Sequence, residues 1–381
     1  MPEFTAPDGF KIAATAAGIK KSGLDLGLLY SDRPATTAVV FTKNAFPAAP
    51  ILVTREHLKQ SGNTTRAILV NAGNANAVTG EAGMQAARTC AAEVAKQLGC
   101  KASEVFISST GVIGRPLPTE KICSAVPALV STMSPQGADA FSRAIMTTDT
   151  VPKVACSEVH GVRMLAFAKG AGMIHPNMAT MLSYVLTDAK IDFPALDKAM
   201  RYAVDRSFHC MTIDGDTSTN DTLAVLANGA SGKTPSPEAF TAQLTEVCQT
   251  LAKAIARDGE GATKFVTLVV EGAPSDDAAR KIGRTIARSP LVKTAIYGND
   301  PNWGRLICAI GNSGVPVKVE LVELFIDDVP LMNGDLALAS EKLKQKDVRI
   351  RVSLHSGSGQ ATIWTCDLTE EYIHINADYT T

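Results

Sequence analysis

The chain has 381 residues, of which 45% are hydrophobic and 20% charged, and its net charge is −1 at pH 7. These values are typical of a globular protein whose large core forms two lobes or one sandwich, and they exclude disordered and fibrous classes. Because the chain is almost neutral and has no long basic run, we expect neither nucleic acid nor a membrane as a partner.

The cysteines and the N-terminal residues indicate a cytoplasmic protein. The eight cysteines are scattered and include no CxxC pair. This spacing favours reduced, mostly buried thiols over a disulfide framework or a zinc site. The first residues lack the charged and apolar regions of a secretion signal, and no apolar run approaches membrane-spanning length.

Strand-like and helix-like segments alternate through much of the chain, which predicts a layered α/β fold with a smaller, mostly β C-terminal lobe. The predicted strands cover residues 9–16, 25–30, 38–42, 67–71, 105–108, 154–159, 162–168, 181–187, 222–226, 265–270, 291–297, 317–326, 348–354 and 361–366. The predicted helices cover residues 54–61, 81–98, 120–133, 136–146, 192–207, 237–256 and 276–287, with another ending at Ile310.

The most informative stretch is FAKGAGMIHPNMATMLSYVLTD at residues 167–188. A loop rich in glycine and proline ends at Ala179-Thr180, and an apolar, β-prone run follows. A threonine at the start of a buried strand is what an N-terminal-nucleophile enzyme presents after cutting its own chain, because the freed amine then serves as base for the hydroxyl. The same pattern also fits a glycine-rich turn that enters a core strand.

Three further positions fit acyl-transfer chemistry, and each has a simpler interpretation. Thr110-Gly111, after the strand at 105–108, offers N–H and hydroxyl donors for an oxyanion hole or is a plain βα turn. Lys169 precedes the glycine-rich loop and either binds a carboxylate or is a surface lysine. Glu260 lies between two glycines and either binds an ammonium group or is a solvated loop charge.

Two other motifs match known ligand-binding loops only in part. The run DGDTSTND at 214–221 begins like a calcium loop, but threonine occupies the glycine position and Val225 occupies the position of the closing glutamate. The run GEGATK at 259–264 lacks the ending of a phosphate-binding loop and precedes a strand. The sequence therefore predicts neither a calcium site nor a nucleotide site at these runs.

At these residues the sequence strongly resembles the ornithine acetyltransferase family, the self-cleaving glutamate N-acetyltransferases of arginine biosynthesis. The likeness covers essentially the whole chain. Its most specific motifs are KGAGMIHPNMATML at 169–182, STGVIG at 109–114, MTTDT at 146–150, DGDTSTND at 214–221, DGEGATK at 258–264, SPLVKTA at 289–295, DPNWGR at 300–305 and the terminal YIHINADYTT.

The resemblance implies an α/β sandwich of the family's own type, similar to N-terminal-nucleophile hydrolases. It implies cleavage between Ala179 and Thr180 into an α chain (1–179) and a β chain (180–381), assembled as a heterotetramer of two α and two β chains. It implies that Thr180 accepts the acetyl group of N-acetylornithine and passes it to glutamate, while Thr110 and Gly111 stabilise the oxyanion. It places substrate contacts at Thr147, Lys169, Thr180, Glu260, Asn376 and Thr381.

Acyl transfer through a covalent intermediate requires no cofactor and no metal, because the acetyl donor is itself an amide of similar energy. The sequence leaves open whether acetyl-CoA also serves as donor. It also leaves two other readings: a self-cleaving aminopeptidase or amidase of the related group, and a non-catalytic binding protein that keeps the fold.

Overall fold

The computed structural model describes residues 4–175 and 181–378. Within these residues a large sheet contains eight strands: β1 (Phe10–Thr15), β2 (Leu26–Phe41), β3 (Thr64–Asn74), β4 (Val105–Val112), β5 (Lys153–Val159), β6 (Val162–Lys169), β7 (Leu182–Thr187) and β8 (Thr222–Ala227). The strand order is β4-β3-β2-β8-β7-β6-β5, and β1 pairs with β2. The pairs β3–β4 and β7–β8 are parallel, and the other pairs are antiparallel.

Strand β7 is buried on both faces, which explains why its sequence lacks charged residues. Leu182, Tyr184 and Leu186 belong to one hydrophobic cluster, where the Tyr184 ring packs edge-on against Phe141. Val185 points into a second cluster on the opposite face. Alternate residues of one strand thus anchor two layers of the core.

Six helices accompany the large sheet: α1 (Ala49–Ser61), α2 (Gly80–Leu98), α3 (Thr119–Ser131), α4 (Ala138–Ala144), α5 (Phe193–Asp205) and α6 (Pro237–Arg257). Helices α2 and α3 share a core cluster with β2, β3 and β4. Helices α5 and α6 pack against each other. These helices confirm the predicted alternation of strands and helices.

A second, smaller sheet follows, with the described strands β9 (Phe265–Ala273), β10 (Glu323–Ile326), β11 (Val329–Pro330), β12 (Asp347–Ser353) and β13 (Gly359–Cys366) in the order β11-β10-β12-β9-β13. Its helices are α7 (Asp276–Ala287), α8 (Pro290–Tyr297), α9 (Trp303–Gly311), α10 (Leu336–Leu343) and α11 (Glu370–Asp378). Helix α6 contacts β5 and β6 of the large sheet and β9 and β13 of the small one. The predicted layered α/β sandwich is confirmed, and the smaller C-terminal lobe, predicted as mostly β, contains this second sheet together with five described helices.

The predicted strand at 291–297 is wrong, because these residues form helix α8. The Ser289 hydroxyl accepts a hydrogen bond from the Val292 N–H, and Pro290 occupies the first turn. Both features favour the start of a helix, and Val292 and Ile296 bury one face of it. The β-branched composition of the segment had suggested the opposite.

Other boundaries also differ from the predictions. Helix α1 begins at Ala49, so Thr54 lies inside it, where its buried hydroxyl donates to the Ile107 carbonyl at 2.9 Å instead of capping the helix. The two strands predicted at 25–30 and 38–42 are one strand, β2, with an irregular register between Tyr30 and Ala35. The predicted strand at 317–326 is limited to Glu323–Ile326, and helices α10 and α11 were not predicted.

Across residues 4–175 and 181–378, none of the helices has the length and apolar character that a membrane crossing would need.

Candidate active site

A cavity of about 100 Å³ opens where the ends of β4 and β6 and the start of β7 meet several loops and helix α11. Six predicted site residues line it: Thr110, Gly111, Thr147, Lys169, Glu260 and Asn376. Ala179, Thr180 and Thr381 lie outside the described residues. Met181, which is bonded to Thr180, also lines the cavity. The structure therefore brings together residues that are up to 266 positions apart in the chain, from Thr110 to Asn376.

Thr110 and Gly111 lie within strand β4, which extends to Val112, so the turn predicted directly after Ser108 is wrong. Gly111 has a φ of 129°, and a Cβ atom on it would lie 2.4 Å from the carbonyl carbon of Gly73. Only glycine allows the two backbones to approach this closely. The Thr110 hydroxyl, which is mostly buried, accepts a hydrogen bond from the Lys169 ammonium at 3.1 Å.

Lys169 is the last residue of β6, and its side chain reaches the cavity. Burial lowers the pKa of Lys169, Lys153 lowers it further, and the nearby carboxylates of Asp149 and Glu260 act against this shift. Within the described part of the chain, the Lys169 ammonium forms no salt bridge. A partly desolvated cation of this kind gains much from an anionic ligand.

A buried ion cluster lies behind this lysine. The Asp149 carboxylate accepts hydrogen bonds from the Gly170 N–H at 2.6 Å, the Lys153 ammonium at 2.6 Å and the Thr147 N–H at 3.0 Å. Lys153 also donates to Asp258 at 2.6 Å. Burial alone would raise the pKa of Asp149, but the Lys153 and Lys169 ammonium groups hold it below its usual value. One carboxylate thus fixes the backbone on two sides of the cavity.

Glu260 and Asn376 also line the cavity. The Asn376 side-chain amide donates to the Glu260 carboxylate at 2.8 Å, and the Glu260 N–H donates to the Ala171 carbonyl at 2.9 Å. A Cβ atom on Gly172 would lie 2.3 Å from the Glu260 carboxylate, so a larger residue at that position would displace this carboxylate. The cavity lining therefore contains both a cation, Lys169, and an anion, Glu260.

The DGDTSTND run borders the cavity and holds its neighbouring loop. Ser218, Thr219, Asn220 and Asp221 line the cavity. The Asn220 amide donates to the carbonyls of Ala75 at 2.6 Å and Ser109 at 2.8 Å, which ties the run to β4. This run is a structural wall of the site.

Asp214, in the same run, accepts hydrogen bonds from the N–H groups of Met173 at 2.5 Å and Ile174 at 2.9 Å.

His175 is the last residue of the first described range, and it is fixed from two sides. Its Nε2 lies 2.7 Å from the Arg284 guanidinium and its Nδ1 lies 3.0 Å from the Thr212 hydroxyl. Burial, followed by the charges of Arg284 and Arg288, lowers the pKa of His175 to about 3. Since a guanidinium only donates, His175 is neutral, with its proton on Nδ1.

Three asparagines lie at the end of β3 and just after it, next to Ala75 of the cavity lining. The Asn71 amide donates to the Asn74 carbonyl, and the Asn74 side chain accepts from the Asn76 N–H, both at 2.8 Å. Short contacts of this kind between an asparagine side chain and the nearby backbone are typical of turns.

Sequence reasoning missed Asp149 and Asp221 as parts of the site. Asp149 is near the predicted contact at Thr147, yet Asp258, which shares the Lys153 ammonium with it, is more than a hundred positions away. Asp221 was considered only within the calcium motif. The signal that could have found it is an acidic residue placed directly before the buried strand Thr222–Ala227.

Comparisons with known proteins identify relatives of this chain. The model of the ArgJ family matches residues 11–381. The arginine biosynthesis bifunctional protein ArgJ of Geobacter sulfurreducens is 46% identical over 98% of this chain and 99% of its own length. The protein of the same name from Thermus thermophilus is 48% identical over 98% of this chain and 99% of its own length.

A solved structure is also similar to this chain. The crystal structure of the arginine biosynthesis bifunctional protein argJ from Bacillus halodurans has a TM-score of 0.50 and is 44% identical, covering 51% of this chain and 98% of that chain. The match of the family model over nearly all residues and the two full-length relatives lead to one conclusion. This chain belongs to the ArgJ family.

Proposed function

We propose that the protein transfers the acetyl group of N2-acetyl-L-ornithine to L-glutamate, giving L-ornithine and N-acetyl-L-glutamate in arginine biosynthesis. The observation that carries this proposal is the cavity, which combines Thr110 and Gly111 with a cation at Lys169 and an anion at Glu260. Both substrates are small charged amino acids, which require such fixed charges for orientation. Membership of a family whose relatives are named for arginine biosynthesis supports the same assignment.

The reaction proceeds in two half-reactions. The Thr180 hydroxyl attacks the acetyl carbonyl of the donor, its proton passes through the Thr180 amine to the leaving nitrogen, and ornithine departs. The amine of glutamate then attacks the acetyl-Thr180 ester, and the threonine hydroxyl is restored. Thr110 and Gly111 stabilise the negative charge on the carbonyl oxygen in both steps. Met181 on the cavity wall, covalently joined to Thr180, supports this role.

Two charged residues of the cavity, Lys169 and Glu260, recognise different parts of the substrate. Lys169 forms no salt bridge in the described part of the chain, so its ammonium is available to a substrate carboxylate. Glu260 is available to the ammonium group of the ornithine side chain while Asn376 holds its position. Thr147 and Thr381 complete the proposed contacts.

The active form arises by self-cleavage between Ala179 and Thr180, which yields an α chain of residues 1–179 and a β chain of residues 180–381. The Bacillus halodurans comparison supports this step, because almost all of that crystallised chain matches only 51% of this one. A half-length chain is the product that such cleavage would leave. Two α and two β chains then form a cytoplasmic heterotetramer.

The name of the relatives, bifunctional protein, supports a second activity. We assign to it the acetylation of glutamate by acetyl-CoA at the same threonine. No bound cofactor takes part in either reaction.

One experiment tests the function. The purified protein is incubated with N-acetylornithine and glutamate, and N-acetylglutamate is measured by mass spectrometry, with acetyl-CoA as the donor in a parallel reaction. We expect product with N-acetylornithine, two protein fragments, and an acetyl group on the peptide that begins at Thr180. Thr180→Ala should give one uncut, inactive chain. Release of acetate without N-acetylglutamate would indicate an amidase, and an active intact chain would refute cleavage.

A further inference from the structure

Asn220 joins two backbone segments beside the proposed oxyanion donors. Its side-chain amide donates to the carbonyl of Ser109, the residue before Thr110, at 2.8 Å and to the Ala75 carbonyl at 2.6 Å. The Thr219 hydroxyl donates to the side-chain oxygen of Asn220 at 2.7 Å, which orients the NH2 group toward the two carbonyls. The side chain is buried, and these two hydrogen bonds account for both of its amide hydrogens. Asn220 therefore lines the cavity as a clamp on the backbone and not as a donor to a substrate.

The Ser109 carbonyl and the Gly111 N–H share one edge of strand β4. Both residues lie in this strand, and only Thr110 separates them. In an extended strand successive peptide groups point to opposite edges, so the carbonyl of one residue and the N–H two residues later point the same way. β4 is the terminal strand of the large sheet, and among the described strands its neighbour is β3. The Asn220 amide thus takes the place of a second neighbouring strand at the edge from which the Gly111 N–H points.

We propose that Asn220 is a positioning residue for the oxyanion donors, an inference that rests on the proposed function. By holding the Ser109 carbonyl, it fixes the peptide groups on both sides of Thr110 and, with them, the direction of the Gly111 N–H. Such donors stabilise the charge that develops on the acyl oxygen only when they already point at it. Asn220 acts on the acyl group only through this backbone.

A second asparagine at the other end of β8 provides a matched control. Asn220 lies two residues before this strand, and Asn228 directly follows it. The Asn228 amide donates to the Asp8 carbonyl at 2.9 Å and to the Ser31 hydroxyl at 3.4 Å, and its side-chain oxygen accepts from the Ala230 N–H at 3.0 Å. It is buried like Asn220, and it is not among the described residues that line the cavity. The same substitution at position 228 therefore removes comparable hydrogen bonds away from the oxyanion donors.

The test compares Asn220→Asp with Asn228→Asp in the transferase assay. Aspartate keeps the shape of asparagine but replaces the NH2 donor by a carboxylate oxygen, which repels the two carbonyls. Because a displacement of about 1 Å can cost about a hundredfold in rate, the kcat of Asn220→Asp should fall by about that factor while KM changes little. Asn228→Asp should keep the wild-type kcat. A wild-type kcat in Asn220→Asp, or an equal loss in both variants, would overturn the positioning role.

The binding of ornithine separates positioning from a general disturbance of the cavity. Ornithine has no acyl carbonyl, so its affinity does not depend on the oxyanion donors. Its Kd, measured by isothermal titration calorimetry, should be the same in Asn220→Asp and in wild type. An affinity that falls as far as kcat would show that the substitution disrupts the whole cavity, and this result would also overturn the proposal.

A milder variant keeps the test decisive if Asn220→Asp does not fold. Asn220→Ser retains one hydroxyl, which can donate to one of the two carbonyls. Its kcat should fall by about tenfold, the effect of losing one hydrogen bond, while the Kd of ornithine stays unchanged. A wild-type kcat in this variant would contradict the proposal.

These outcomes are distinct from failure of the proposed function. If wild type and Asn228→Asp both lack acetyl transfer, the function fails, and the inference that rests on it fails too. If wild type transfers acetyl groups and Asn220→Asp does so with the same kcat, the positioning role fails alone.

Discussion

Two lysines on neighbouring strands show how one side chain can serve the architecture and another the chemistry. Lys153 begins β5 and Lys169 ends β6, and Lys153 pairs across the strands with Ala168. The Lys153 ammonium is fully buried and lies 2.6 Å from both Asp149 and Asp258. The Lys169 ammonium reaches the cavity and contacts the Thr110 hydroxyl. The first cation is neutralised within the chain, and the second is left for a ligand.

The difference lies in which anions the fold supplies. A buried ion pair is stable only when both charges have partners, and Lys153 has two carboxylates that are themselves fixed by backbone N–H groups and Thr150. Burial lowers the pKa of Lys169 although Asp149, Asp221 and Glu260 act against this shift, and no carboxylate forms a salt bridge with its ammonium in the described chain. A substrate carboxylate would fill that position, so binding and charge neutralisation become the same event.

The largest expected effect separates the two lysines. Lys153→Met leaves Asp149 and Asp258 buried without their cation, and we expect a loss of about 3–5 kcal/mol in the free energy of unfolding. Lys169→Met removes a cation that forms no salt bridge in the described chain, so the loss of stability should be much smaller than for Lys153→Met, while kcat/KM falls strongly. Urea denaturation and the transferase assay measure both quantities. Equal destabilisation by the two substitutions would show that Lys169 is also architectural.

The next effect concerns the hydroxyl that Lys169 contacts. Thr110→Ala removes one proposed oxyanion donor, which typically costs ~3 kcal/mol, or about a hundredfold in rate. We expect kcat to fall and KM to change little, because the contact matters most in the transition state. Thr110→Ser keeps the hydroxyl and is the matched control. A rate for the alanine variant within about twofold of wild type would mean that the donors lie elsewhere.

A smaller effect should divide the two half-reactions. Glu260→Gln keeps the shape of the side chain and removes its charge. Acetylation of Thr180 by N-acetylornithine should therefore slow by about tenfold, the effect expected from losing one hydrogen bond to a charged group. Deacetylation by glutamate should change less, since glutamate brings an additional negative charge. Single-turnover measurements of each step provide the comparison. Equal losses in both would place Glu260 at the reacting centre and not at the substrate's side chain.

The smallest effect is a pH dependence with opposite signs for stability and activity. The folded-state pKa of Lys169 lies below its ordinary value of 10.5. Between the lowered pKa of the folded state and the ordinary pKa of the unfolded state, the folded chain has released the Lys169 proton while the unfolded chain still holds it. The free energy of unfolding should therefore rise as the pH rises through this range. Activity should fall there, because a neutral amine cannot anchor a carboxylate. Denaturation curves and kcat/KM at alkaline pH test this, and Lys169→Met should lose the stability increment.

Much of this fold could be predicted from the sequence because local patterns determine many of its helices and strands. The Asp276–Ala287 helix has its predicted limits, since an amphipathic pattern and a capping serine coincide there. The segment 291–297 failed because its β-branched residues outweighed the cap at Ser289. Six site residues could be named from the family resemblance, and they do converge on one cavity. The pairs Lys153–Asp258 and Lys169–Thr110 could not be found, because only the folded chain joins segments so distant in sequence.

The close approach of Gly73 and Gly111 has a consequence for mutational scanning. Both have positive φ values, and a side chain on Gly111 would collide with backbone atoms of Gly73 and Asn74. A scan that scores activity would mark position 111 as intolerant to every substitution. That result would look the same as the result for a residue that takes part in the reaction. The cause would be backbone geometry, which a fold-stability screen run beside the activity screen should reveal. In directed evolution, variation is therefore better spent on Thr148 and Ile113, which border the same cavity and have side chains to vary.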